Sequence, residues 1–100
     1  MILVRNVFRL KFGKAREAVA AMKETMALGR QTAGDVPMRL LTDVTGDFYT
    51  LVFEMTYKDL SQFEQAAKQI MGNAQWQATY SKLVPLVESG SREIFNIVEG

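Results

Sequence analysis

The stretch ILVRNVFRLKF, residues 2–12, reads as a β-strand with two different faces. Ile2, Val4, Phe8, Leu10 and Phe12 share one face, and Leu3, Arg5, Val7, Arg9 and Lys11 share the other, the period of two that defines a strand. The first face is apolar except for Asn6. The second mixes apolar side chains with charge, whereas a face left in water is usually more uniformly polar. Residues 47–57, DFYTLVFEMTY, repeat the arrangement, with Tyr49, Leu51, Phe53, Met55 and Tyr57 on one side and Phe48, Thr50, Val52, Glu54 and Thr56 on the other. Such strands predict a sheet that covers one face with helices and gives the other to a partner.

Outward from the first strand, Gly13 ends the alternation and Lys14 to Ala33 takes up a helical period. Ala15, Ala18, Val19, Met22, Met26, Gly29 and Ala33 form the apolar stripe. Gly34 is a left-handed stop, and Asp35 and Pro37 lead into an extended segment, Val36 to Val44. Thr45, Gly46 and Asp47 read as a tight hairpin into the next strand. A second helix starts at Lys58 or Asp59 with the stripe Leu60, Phe63, Ala67, Ile70 and Met71, and breaks at Gly72 and Asn73. A third runs from Ala74 toward Pro85, with Trp76, Tyr80 and Leu83 on one face. Ser89, Gly90 and Ser91 read as a loop before a last strand, Arg92 to Val98. The order βαββααβ, with right-handed crossovers, predicts a single α+β domain over residues 1–100. Its fold is ferredoxin-like: a four-stranded antiparallel sheet with the helices on one face.

Composition narrows the chemistry. The chain has 100 residues, with 12 basic and 11 acidic side chains scattered along it and a formal charge of +1, so no basic stripe points to nucleic acid. No apolar run approaches the roughly 18 residues of a membrane helix, and the apolar start carries arginines and no small-residue cleavage site. A cytoplasmic location is expected. A chain this short buries only about 60–68% of its unfolded surface by itself, so dimerisation would help it. It contains no Cys and no His. Thiolate nucleophiles, disulfides, His general bases and His or Cys ligation of zinc or haem are therefore excluded. Asp35, Asp43 and Asp47 do not follow a calcium-loop spacing. No cofactor and no metal is expected.

In its length, its element order, the Gly46-Asp47 hairpin and the run Phe53-Glu54-Met55-Thr56-Tyr57-Lys58-Asp59-Leu60, the chain resembles the dimeric α+β barrel superfamily. That group includes small antibiotic-biosynthesis monooxygenases and NIPSNAP-type proteins. The resemblance covers nearly the whole chain and is one of architecture rather than of a catalytic motif. It implies a homodimer in which two open sheet faces form a barrel, with Arg5, Arg9 and Glu54 at the interface as cross-strand or cross-subunit ion pairs. Apolar Leu3, Val7, Val52 and Ile94 are expected on the same face.

The resemblance also implies a pocket between the sheet and the helices of each subunit. Asn6 breaks the apolar row on that side, and a buried amide costs roughly 1–3 kcal/mol unless it finds partners. Haem-degrading members of the superfamily carry an Asn in the matching part of strand one but also need a His, which this chain lacks. Trp76 and Tyr80, four residues apart on one helix face, with Asn73 a turn earlier, could orient a planar aromatic molecule by stacking and hydrogen bonding. Quinone-forming monooxygenases of the superfamily use Trp, Tyr, Asn and Arg in such a pocket. Asn6, Trp76 and Tyr80 are thus the candidate catalytic residues, and Asn73, Tyr49, Phe8, Met22 and Met26 the candidate ligand-binding ones. Two readings stay open: a pocket for a small apolar or aromatic ligand, with cofactor-independent oxygenation as its chemical form, and a non-catalytic dimerisation module.

Overall fold

The computed structural model describes residues 1–99. In chain order the elements are β1 (Ile2–Leu10), α1 (Ala15–Ala33), β2 (Met38–Thr42), β3 (Thr50–Tyr57), α2 (Leu60–Met71), α3 (Ala74–Leu83), a 3-10 turn at Val84–Leu86 and β4 (Val87–Asn96). The strands form one four-stranded sheet in the order β2-β3-β1-β4, with every neighbouring pair antiparallel. This is the expected ferredoxin-like α+β fold. Among the described residues no helix is long and apolar enough to cross a membrane.

Two local signals set the ends of the shorter helices. Asp59 and Asn73 both cap, Asp59 accepting from the Gln62 amide at 2.8 Å and Asn73 from the Trp76 amide at 2.9 Å. On α1 the buried stripe is Ala18, Ala21, Met22, Thr25, Met26 and Gly29. Thr25, a polar residue within that stripe, is satisfied by the Ala21 carbonyl at 2.8 Å. The buried residues fall into two clusters, one centred on Leu10, Met22, Leu51 and Leu83, the other on Ile2, Val4, Met55 and Tyr57. Each fully buried large apolar side chain is worth about 1.5–3 kcal/mol, so these residues hold the helical layer to the sheet.

The structure departs from the sequence reading of the strand bounds and faces at three places. The segment joining β2 and β3 spans residues 43–49 rather than a tight Thr45-Gly46-Asp47 hairpin, because Asp43 accepts from the Thr50 amide and Tyr49 takes a left-handed φ of 61°. Backbone bonding still runs past both strand ends, the Asp43 amide donating to the Thr50 carbonyl at 3.3 Å and the Leu10 amide to the Tyr49 carbonyl at 2.8 Å. The last strand begins at Val87, so Ser89, Gly90 and Ser91 lie inside it rather than in a loop. They pair with Arg9, Phe8 and Val7, and a Cβ on Gly90 would stand 3.3 Å from the Phe8 ring. A glycine fits there because the neighbouring aromatic covers its place on the sheet. Finally, Ile94 pairs with the fully buried Val4 and therefore belongs to the helix side. Phe95, which pairs with Leu3, takes the expected place on the open face.

On that open face Arg5 and Glu54 sit directly opposite each other, Nε to Oε2 2.9 Å. Arg9 does not reach Glu54. It pairs with Asp47 at 2.6 Å at the end of the sheet, and Arg39 of β2 supplies the second arginine to Glu54, Nε to Oε1 3.1 Å. Glu54 is only 5% exposed although no helix covers it, because the two arginines do.

Candidate functional site

Between the sheet and the helices lies a cavity of about 600 Å³, within the range of pockets that take a small organic molecule. The strands contribute Asn6, Phe8, Phe53, Met55 and Tyr57, and α1 contributes Met22, Thr25, Met26 and Gly29. Phe63, Ala67 and Ile70 come from α2, Trp76, Tyr80 and Leu83 from α3, and Ser89 to Arg92 from β4. Because β4 is exposed along nearly its whole length, the wall it forms faces solvent.

Three features give the cavity its chemical character. The Trp76 and Tyr80 rings are stacked, centroids 4.9 Å apart and planes within 10°, which makes a flat aromatic wall. Gly29 of α1 faces the indole, and a Cβ there would stand in ordinary contact, 3.9 Å, with Trp76 Nε1. Met22, Met26, Met38, Met55 and Met71 line much of the rest, and methionine adapts to different shapes.

The third feature is polar. Arg92 Nε donates to Asn6 Oδ1 at 2.7 Å, across the β1 and β4 pair in which these residues lie directly opposite. The Arg92 guanidinium lies 5.4 Å from the Phe63 ring centroid, a cation–π position. Arg92 is the only charged residue lining the cavity and makes no ion pair among the described residues. Tyr57, also on the wall, is 3% exposed, and its hydroxyl donates to Met55 Sδ at 3.4 Å. Burial raises the Tyr57 phenol above its ordinary value, and the positive charge of Arg92 opposes part of that rise.

The structure thus brings Asn6, Phe8, Met22, Met26, Trp76 and Tyr80 together around one space. Asn73 and Tyr49 stand elsewhere. The Asn73 side chain is committed at both ends, its oxygen to the Trp76 amide and its Nδ2 to Thr32 Oγ1 at 2.8 Å. Tyr49, with a left-handed φ of 61° just before β3, packs against the Leu10, Met22 and Leu51 cluster instead of the cavity. Its ring packs on Phe12, centroids 4.8 Å apart, in a shallow groove at the other end of the sheet. Two residues of the cavity's polar wall, Arg92 and Tyr57, were not candidates from the sequence. Arg92 looked like the first residue of a strand of unknown register. Only its pairing with Asn6 puts it on the helix side.

A family profile for NIPSNAP matches residues 5–99. The chain belongs to the NIPSNAP family. Solved structures agree in fold. A NIPSNAP domain protein from Burkholderia xenovorans superposes with a TM-score of 0.87 at 21% identity, covering 98% of this chain and 95% of that one. A NIPSNAP family protein from Agrobacterium tumefaciens gives 0.87 at 19% identity, covering 98% and 86%. SnoaB, a cofactor-independent oxygenase from Streptomyces nogalater, gives 0.76 at 18% identity, covering 99% and 94%. At these identities the likeness to each is one of fold. No curated protein matches the chain.

Proposed function

We propose that this NIPSNAP protein is a homodimer whose subunits each bind a small planar aromatic ligand bearing one anionic oxygen group. The observation that carries this reading is the content of the cavity wall. A space of about 600 Å³ is lined largely by aromatic and Met side chains and holds a single charged group, Arg92, with Asn6 and Tyr57 beside it. An apolar body would gain from desolvation and from stacking on Trp76 and Tyr80. A carboxylate or phenolate would fall to the guanidinium, whose charge-assisted bonds are about twice as strong as neutral ones.

The shared fold with SnoaB supports an oxidative form of the same reading, although fold does not carry function by itself. The ligand would be an ionised phenol or enol that gives electrons to dioxygen directly. One ring methylene would become a carbonyl, with one oxygen atom entering the product and the other leaving as water. Asn6 and Arg92 would hold the negative charge on the substrate oxygen, and Tyr80 would handle a proton.

Trp76, the only tryptophan of the chain, is a built-in reporter. Titration with naphthoic and hydroxynaphthoic acids should quench its fluorescence saturably. Arg92→Gln should weaken that binding by roughly 10- to 100-fold, the worth of about 1.5–3 kcal/mol for a bond to a charged group. Incubation with an anthrone under labelled dioxygen, read by mass spectrometry, tests the oxidative form through label in the ring carbonyl. Absence of quenching by any aromatic compound would leave the non-catalytic module as the better account.

A further inference from the structure

Arg92 is an exposed arginine of an edge strand, held without an acid. Arg5, Arg9, Arg30 and Arg39 each pair with a carboxylate, and among the described residues Arg92 does not. Its two holds are both neutral. Nε donates to Asn6 Oδ1 at 2.7 Å, and the guanidinium carbon stands 5.4 Å from the centroid of the Phe63 ring. Phe63 rests in turn on the Tyr57 ring, centroids 5.4 Å apart and planes at 59°, and Tyr57 is buried in the core cluster. Tyr57, Phe63 and Arg92 therefore form a stack that runs from the core to the charge. Phe63 is not itself sunk in the core. It belongs to α2, whose one buried residue is Ala66 and whose apolar side chains Phe63, Ala67 and Ile70 line the cavity. Among the described residues no side chain of α2 forms a hydrogen bond or ion pair with the sheet or with α1, so the contact of Phe63 with Arg92 is the polar tie between α2 and β4.

We infer that Phe63 is a positioning residue for the anion site: its ring, seated on Tyr57, holds the Arg92 guanidinium in place without neutralising it. The inference rests on the reading of the cavity as a site for an aromatic anion and adds what makes Arg92 fit for that task. An exposed arginine has wide rotamer freedom, which it loses when an anion binds. A neighbouring carboxylate would order the guanidinium but would also compete with the ligand for it. An amide oxygen and a ring face order it and leave its charge in place. Among the described residues the two Nη groups of Arg92 have no partner, and they are the pair that grips both oxygens of a carboxylate. A ligand anion thus meets a guanidinium already in position, so less order has to be imposed on binding. The gain falls mainly to anions, because a neutral ligand of the same shape draws far less on that charge.

Two probes of one shape separate this role from plain packing: 2-naphthoate and its neutral amide, 2-naphthamide, each titrated against Trp76 fluorescence. Phe63→Leu keeps an apolar side chain and removes the ring face. It should weaken 2-naphthoate by about 3- to 10-fold, the effect of one pre-ordered long side chain, and leave 2-naphthamide within about twofold. Phe63→Tyr should restore the wild-type affinity. In an Arg92→Gln background, Phe63→Leu should weaken 2-naphthoate no more than it weakens the amide. Equal losses for the two probes would make Phe63 an apolar wall and overturn the inference, as would no loss for 2-naphthoate or no recovery with Tyr. If neither probe binds the wild type, the ligand reading falls, and the positioning role is read without a ligand from the Arg92 Nε–Hε signal by nuclear magnetic resonance. That group should be ordered in the wild type, unlike the same group of Arg16, which has no ion pair among the described residues. It should become as mobile as that of Arg16 in Phe63→Leu, and unchanged order there would overturn the inference. A wild-type Arg92 as mobile as Arg16 would do the same, a comparison that stands even where Phe63→Leu does not fold.

Discussion

The side chains that give the cavity its character differ in how far they could be seen in the sequence. Asn6 was visible because one amide in a row of Val, Phe and Leu must find a partner or cost stability. Its partner, Arg92, was not, because an arginine near a strand end says nothing about which face it joins until the register with Asn6 is known. Tyr57 was legible as an inward residue, but its 3% exposure comes from packing in the core cluster it shares with Ile2, Val4 and Met55. That burial makes a pH prediction. A phenol raised in the folded state stays protonated there while the unfolded chain ionises near 10, so the folded state binds the extra proton in that window. Its contribution is complete below the unfolded value and is lost as pH climbs through the folded one. Urea midpoints at pH 8 and pH 11 should therefore fall more for wild type than for Tyr57→Phe, and equal falls would show that the phenol is not held in this way.

At the scale of elements, the helices followed their signals closely because caps and stripes are local. Lys14 to Ala33, Asp59 to Gly72 and Ala74 to Leu83 each carry their own start, stop and apolar face. The strands were less legible. Ser89-Gly90-Ser91 has the composition of a turn, yet the Phe8 ring makes it part of β4, and that ring comes from a strand some 80 residues earlier. Asn73 shows the opposite confusion, a polar residue near an aromatic pair that serves the start of its own helix. Asn73→Ala should cost about 1 kcal/mol, the usual worth of an N-cap, seen as a lower urea midpoint. It should leave quenching of Trp76 by an aromatic acid unchanged, and a large loss of affinity would return Asn73 to the cavity's working residues.

For the molecule as a whole, the open face is the broad side of the sheet that no helix covers. A compact monomer of 11.3 kDa exposes about 5,700 Å² by the usual scaling, and this chain exposes 6516 Å², spread over a slab 37 × 36 × 18 Å. Leu41 and Phe95 on that face, and Ile97 and Val98 beyond β4, contribute to the difference. Light scattering at micromolar concentration should accordingly give twice the chain mass, and a single-chain mass would set the dimer aside. What the sequence determined by itself was the element order, the α+β class and the two-sided character of the strands, because periodicity and capping act over a few residues. The register, the true extent of β4, the union of Asn6 with Arg92 and the pairing of Arg5 and Arg39 with Glu54 were decided only by the tertiary structure. Each depends on which residues of distant strands stand opposite one another. A one-residue slip would send every one of those side chains to the other face.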